Sequence, residues 1–372
     1  MASFDQIPTS VAQTLLKKSF GHIKRVLGRS RACSTLLVLA SFGVCAAPPL
    51  PAYNVDIHET SVSGISSGAF MAVQFDVAYS SIVKGAGVVA GGPFFCSEGT
   101  LEGAARCMNA TSPIDVPRLI QKTQELATQR LIDPVENLKR QRIWIFSGAL
   151  DTVVRPPAGE ATEVFFKELG TPANVKRVKK PNAEHTMPTA NFGNGCSVKS
   201  DPYISNCNED AAGQLLQWIY PDIAERSGGP LGGKLVEFDQ NEFINASSHS
   251  MNDIGWVYVP QACAKGEPCR LHVALHGCLQ YPKRVYPDKD RRVTFGSTFA
   301  EHAGYNEWAD QNHLIVLYPE AGARTFAFPR NLNPFGCWDW WGYDSAVYHT
   351  QQGAQLAAIK KMVGRIASGH TP

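Results

Sequence analysis

The stretch Ser61 to Phe70, SVSGISSGAF, carries the pattern G-x-S-x-G over Gly64 to Gly68. A β-branched and polar run precedes it and an Ala/Met/Val/Phe stretch with helical spacing follows, which places the pattern on a tight turn between strand and helix. Glycines there permit close backbone approach and leave the serine side chain standing at a sheet edge. By register the candidate nucleophile is Ser66, with Ser67 as its neighbour. A serine hydroxyl is a weak nucleophile until a base takes its proton, so a histidine and an orienting acid are required further along. Asp151, within the apolar run RIWIFSGALDTVV, and His185, in the loop PNAEHTMPT, are the candidates. Taken singly, each of these residues reads equally well as an ordinary turn or loop residue. Together, in the order Ser, Asp, His, they point to acyl transfer.

The elements that must position them alternate. Strands are expected from Tyr53 into the serine turn, over Val83–Gly92, over Arg142–Val154 and over Val175–Val178, and helices over Ala69–Tyr79, Val116–Thr128, Gly159–Leu169 and Asp210–Ile219. Such alternation predicts a parallel sheet flanked by helices, with reactive groups at the carboxyl ends of its strands. The segment Ser227–Gly233, SGGPLGG, resembles a linker. It does not open a separate domain, because GKLVEFDQNEF, IGWVYVP, RLHVALHGC and LIVLYPEA read as four more strands of the same sheet. A helix is expected around Phe299–Gln311 and a last one over Gln351–Ala367.

Composition bounds the partners. The chain has 372 residues, 44% hydrophobic and 18% charged, with a formal net charge of +2. Basic residues cluster only at Lys176–Lys180 and Lys289–Arg292, which argues against a nucleic-acid partner. Residues 1–46 read as an export lead: six basic residues from Lys17 to Arg31, then the apolar STLLVLASFGVCAA, too short to span a bilayer comfortably, with Val44 and Ala46 at the small-residue positions of a cleavage site. Residues 47–372 are then one catalytic domain, exported to the periplasm or the medium, with no membrane association once the lead is removed, and monomeric.

Cysteine usage agrees with export. Of ten cysteines, Cys33 and Cys45 fall in the lead, which leaves an even set for an oxidising compartment. Proximity suggests Cys96–Cys107, Cys196–Cys207 and Cys263–Cys269, with Cys278–Cys337 as the remaining pair, although roughly a hundred connectivities are open to eight cysteines. No C-x-x-C spacing occurs, so no zinc site is expected. His272 and His276 share a strand face and read as packing residues, not as metal ligands.

Four stretches, VSGISSGAFMA, FSGALDTVV, AEHTMPT and LHVALHGCLQ, together with GYNEWADQNHLIVLYPE and NPFGCWDWWGY, resemble the polyhydroxybutyrate depolymerases, in particular the single-domain type with a circularly permuted α/β-hydrolase fold. The resemblance runs from about residue 53 to about residue 367. In unpermuted relatives the HGC, YPE and CW segments precede the nucleophile strand, whereas here they follow the histidine. The resemblance implies an ester hydrolase that uses Ser66, His185 and Asp151, stabilises the oxyanion with the amides of Ser67 and Cys278, and needs no metal or organic cofactor. It implies a polyester or hydroxyacid-oligomer substrate, with a tryptophan of the 338–341 segment, Trp338 or Trp340, beside the nucleophile. Two rivals stand beside it: an esterase for small soluble or plant-wall esters, and a secreted binding protein on a hydrolase scaffold.

Overall fold

The computed structural model describes residues 47–226, 228–244, 250–324 and 333–370. The expected export lead over residues 1–46 lies outside the described residues. Eight strands form the main sheet: β1 (Val55–Ile65), β2 (Val83–Val89), β3 (Arg142–Gly148), β4 (Val175–Lys180), β5 (Lys234–Asp239), β6 (Ile254–Val259), β7 (Cys269–Leu275) and β8 (Leu314–Tyr318). Their order is β4-β3-β2-β1-β7-β8-β6-β5. The six from β4 to β8 run parallel, while β6 pairs antiparallel with both β8 and β5.

Alternation along the strands divides the core into two layers. Ile143 and Ile145 of β3 and Ile315 and Leu317 of β8 pack on one face, with helices α1 (Ser67–Ala78), α2 (Leu101–Asn109), α3 (Val116–Thr128) and α4 (Pro156–Leu169) and the last helix, Ala354–Ala367. Trp144 and Phe146 of β3 and Leu314, Val316 and Tyr318 of β8 pack on the other, with α5 (Ala211–Ile219) and Tyr305 and Trp308. Helix α1 is buried on every side, as the central helix of a layered domain must be.

The element order expected from the sequence is present, with local differences. The helix expected over Phe299–Gln311 is two, Thr298–His302 and Tyr305–Gln311, because Gly304 between them takes a left-handed φ of 92° that a continuous helix excludes. The strand expected over Arg142–Val154 ends at Gly148, where the chain turns toward α4. A hairpin of Val285–Asp288 and Arg291–Thr294 carries the basic cluster at its turn. The end of the last helix lies beside the entry to β1: the Tyr53 amide donates to Ile366 O at 2.8 Å, and Arg365 donates to Leu50 O at 3.3 Å. Disulfides join Cys96 to Cys107, Cys196 to Cys207, Cys263 to Cys269 and Cys278 to Cys337, the pairing suggested above. No helix among the described residues is long and apolar enough to cross a membrane.

Candidate active site

Ser66 sits between β1 and α1 with φ 56° and ψ −125°, a strained backbone position for a residue with a side chain. The strain is held from both sides: the Ser66 amide donates to Val89 O at 3.0 Å, and Ser66 O accepts from Ala69 and Phe70 of α1. Gly68 is required by close approach, since a β-carbon there would lie 2.3 Å from the carbonyl oxygens of both Leu275 and His276. The glycine thus lets α1 sit against the end of β7, which brings Ser66 beside the loop His276–Gln280.

Asp151 and His185 leave the ends of β3 and β4. His185 Nδ1 lies 2.9 Å from Asp151 Oδ2, and both side chains are buried. Asp151 Oδ1 accepts from the amides of Val153 and Val154, each at 2.8 Å, so the carboxylate is fixed in the turn that opens α4. With Nδ1–H committed to Asp151, Nε2 is left with its lone pair. Ser66 and His185 line one cleft of about 420 Å³. No hydrogen bond joins their side chains among the described residues, an arrangement common before a substrate draws such groups together.

The loop after β7 has its polar backbone groups assigned. The Gly277 amide donates to Gln280 Oε1 at 2.6 Å, Gly277 O accepts from His276 Nδ1 at 2.7 Å, and the Leu279 amide donates to Phe335 O at 2.7 Å. Gln280 Nε2 anchors in turn on Pro202 O at 2.9 Å, and Cys278 is tied to Cys337. Among the described residues, the amides of Ser67 and Cys278 donate to no protein acceptor. Both residues line the cleft beside Ser66. Two unused amides at such a position form a site where a developing oxyanion can be received. The rest of the lining is largely apolar, with Leu101, Met108, Val153, Phe335, Trp340 and Trp341 prominent and Lys199 at its edge.

No protein-family model matches the chain. A poly(3-hydroxybutyrate) depolymerase of Delftia acidovorans is 44% identical over 347 residues, which span 92% of this chain and 66% of that protein. A polyhydroxybutyrate depolymerase of Talaromyces funiculosus is 39% identical over 344 residues, 90% of this chain and 96% of that one. The chain belongs to the polyhydroxybutyrate depolymerases. Among solved structures, the PHB depolymerase of Penicillium funiculosum matches with a TM-score of 0.80 at 37% identity, covering 87% of this chain and 100% of that one. A serine-to-alanine variant of a PHB depolymerase complexed with an R3HB trimer matches with a TM-score of 0.79 at the same identity and coverage.

Of the two tryptophans expected beside the nucleophile, the structure brings Trp340 to the cleft and not Trp338. Trp338 is fully buried and does not line the cleft. Its indole N–H is drawn to His276 O at 3.0 Å, and its amide donates to Ser67 Oγ at 3.3 Å, so it lies behind the loop that follows β7. Trp340 does line the cleft, but only 3% of it is exposed, and its ring stacks on Phe70 at 3.7 Å. Trp341 and Phe335, not singled out as substrate contacts from the sequence, supply more accessible aromatic surface.

Two acids escaped sequence reasoning because nothing in their spacing marks them. Glu184 Oε2 accepts from the amides of His185 at 2.5 Å and Thr152 at 3.3 Å, and Oε1 accepts from the Thr152 hydroxyl at 2.5 Å. It thereby stitches the loop of the acid to the loop of the histidine. Burial alone would raise its carboxyl, but these hydrogen bonds and nearby Lys199 hold it below the usual value. Asp339 accepts from four amides, those of Gly342, Tyr343, Asp344 and Ser345, and so closes the loop that carries Trp340 and Trp341. Burial pushes its carboxyl up to about 7 against those donors. His272 is also fully buried, bonded at 2.7 Å to Ser61 Oγ and to Ser63 Oγ, which gives it the packing role expected.

Proposed function

We propose that the chain is an exported serine esterase that hydrolyses poly(3-hydroxybutyrate) or its oligomers through Ser66, His185 and Asp151. The observation that carries this reading is the His185–Asp151 pair at 2.9 Å sharing one apolar cleft with Ser66 on its strained turn. In acylation, Ser66 Oγ bonds to the ester carbonyl carbon while His185 Nε2 takes the hydroxyl proton. The carbonyl oxygen becomes an oxyanion facing the amides of Ser67 and Cys278. Collapse breaks the bond from the carbonyl carbon to the alkoxy oxygen, and the Nε2 proton passes to that departing oxygen. Water then attacks the acyl-enzyme, giving its proton to Nε2, and the acid product leaves as Oγ recovers a proton. Asp151 keeps the imidazole in the tautomer with Nε2 free and stabilises its cation.

An uncharged polyester offers methyl groups and ester planes, which suit a cleft lined by Leu101, Phe335, Trp340 and Trp341. The disulfides support the reading of export. The fold further supports a circular permutation: the end of the Ala354–Ala367 helix beside Tyr53 is where an unpermuted chain would continue into β1. The test is clearing of a poly(3-hydroxybutyrate) suspension with release of 3-hydroxybutyrate, blocked by a serine-reactive phosphonate that labels Ser66. Hydrolysis of small esters without attack on polymer or hydroxybutyrate oligomers would favour the small-ester rival. Absence of labelling and of all ester hydrolysis would leave the binding-protein reading.

A further inference from the structure

Among the described residues that line the cleft there is no aspartate, glutamate or arginine, and Lys199 is the one side chain there with a permanent charge. Its place is fixed by the loops of the triad candidates. The loop that carries it is closed by Cys196–Cys207, and Asn194 Nδ2 donates to Ser200 O at 3.1 Å and to Asp201 O at 3.0 Å just beyond the lysine. The Glu184 amide donates to Cys196 O at 2.9 Å, which sews that loop to the one bearing His185. Lys199 Nζ donates to Thr152 Oγ1, and Thr152 and Glu184 are the chain neighbours of Asp151 and His185.

Glu184 leaves most of this cation free. Its carboxylate already accepts from the His185 amide, the Thr152 amide and the Thr152 hydroxyl, and Lys199 Nζ stays 3.9 Å from its Oε1, beyond hydrogen-bond reach. The Glu184 side chain is 11% exposed and absent from the cleft lining, whereas that of Lys199 is 40% exposed, so a ligand in the cleft meets the ammonium first. An ammonium has three donors and Thr152 takes one. The other two have no protein acceptor among the described residues.

The interior of a polyester offers such donors only ester oxygens, whereas a hydroxyacid oligomer ends in a carboxylate, the stronger acceptor. Direction follows from the chemistry. His185 delivers its proton to the departing alkoxide, so the departing segment lies on the His185 side of Ser66, and in a hydroxyacid chain that segment is the one ending in the free acid. We infer that Lys199 is a specificity-determining residue that receives the terminal carboxylate of a hydroxybutyrate oligomer on the departing side of Ser66, favouring cleavage near the acid end of short chains.

The inference rests on the esterase reading above, and its test separates the two. The probes are the dimer and trimer of (R)-3-hydroxybutyrate, each as free acid and as methyl ester, with cleavage of the internal ester followed by chromatography. At neutral pH the acid is ionised and the methyl ester carries no charge. A partly exposed ion pair contributes far less than a buried one, so a preference of about fivefold in kcat/KM for acid over methyl ester is expected in the dimer, the trimer or both. It should reside in KM, because the contact is the same in ground and transition states. Salt at about 1 M, where the screening length is about 3 Å, should erase most of it. In Lys199→Met the acid-to-ester ratio should fall to one or below and lose its salt dependence, whereas Lys199→Arg should keep a ratio above one. A lysine that only braced Glu184 would lower Tm and the rates on acid and ester together, leaving their ratio where it was. A ratio of one at both lengths in the wild type, or the same ratio in wild type and Lys199→Met, overturns the assignment, and the first of these needs no variant to fold. A wild-type protein that cleaves neither these oligomers nor polymer would sink the esterase reading, and this inference with it.

Discussion

Replacing Phe335 with alanine separates grip on a polymer from chemistry on an ester. Phe335 lines the cleft and is 56% exposed, whereas its main-chain oxygen, which holds the Leu279 amide, survives the substitution. An aromatic side chain presents about 200 Å² in all, so roughly 110 Å² is open to a ligand. At ~25 cal/mol per Å² that is worth about 3 kcal/mol if fully covered. A flat polyester surface covers one face of the ring, so about 1.4 kcal/mol, or a tenfold change, is expected. The half-saturating concentration of polymer should therefore rise about tenfold, while kcat/KM for a soluble butyrate ester stays within about twofold and Tm is unchanged. Trp340→Ala is the contrast. That ring is 97% covered by protein and stacked on Phe70, so its removal should cost about 3–5 kcal/mol of stability and depress both activities with the Tm. Suspension turbidity, ester kinetics and thermal unfolding on the same preparations decide. Proportional loss of both activities in Phe335→Ala, or undiminished polymer cleavage, would refute the assignment of this ring to the substrate surface.

Ser66→Ala should lower turnover by about 10⁴ or more, whereas Ser67→Ala, which keeps its amide and loses a 3.3 Å bond from Trp338, should cost less than about tenfold; the reverse ranking in ester kinetics would place the nucleophile at Ser67. Removing Cys278–Cys337 by a double alanine change opens a sequence separation of 59 residues, which loop-closure entropy values at ~4 kcal/mol; calorimetry should show it, and kcat below the new Tm should also fall. Glu184→Gln should lower Tm relative to the wild type above pH 4.5, the value of its carboxyl in the unfolded chain. Because the folded value is depressed, that advantage is lost as pH falls through the folded value, and a gap that persisted or grew in acid would contradict the stitching role. Joining residue 367 to residue 53 by a short linker, with new termini within the exposed stretch 228–233, should give an active enzyme; failure to fold would count against the permutation.

The catalytic candidates were legible because their chemistry is tied to local patterns. Ser66 needs a glycine-flanked turn, and Asp151 follows an apolar run that reads as a buried strand, whereas the strand before His185, VKRVKK, is basic and half-exposed, so the histidine was legible from chain order more than from its strand. The cysteine pairs were legible because three of the four close loops of 6 to 11 residues. What could not be read depended on contacts between distant segments. Glu184 matters through Thr152, and Trp338 faces inward because His276 O and Ser67 Oγ receive its donors. An aromatic-rich segment looks the same whether its rings serve core or cleft, and only the assembled layers distinguish Trp338, Trp340 and Phe335. The break in the helix at Gly304 was visible as a glycine but not as a left-handed turn, since glycine tolerates both.

What gathers the candidate residues is strand direction and not chain order. Ser66, Asp151 and His185 follow β1, β3 and β4, and Cys278 follows β7, all parallel strands ending at one edge of the sheet. A parallel sheet gathers these loops by strand direction and register, and β1 pairs with β7 from Thr60↔Leu271 to Gly64↔Leu275 whichever comes first in the chain. The demanding contact is therefore between neighbours in space: Gly68 on one side, and the carbonyls of Leu275 and His276 on the other. Gly68→Ala would place a methyl group where those oxygens lie, push α1 away from β7, and separate Ser66 from the amide of Cys278. Loss of turnover should then exceed the loss of substrate binding, because the groups that part are those that meet only around the tetrahedral intermediate. A folded Gly68→Ala protein with wild-type kcat would show that the close approach is a matter of packing alone.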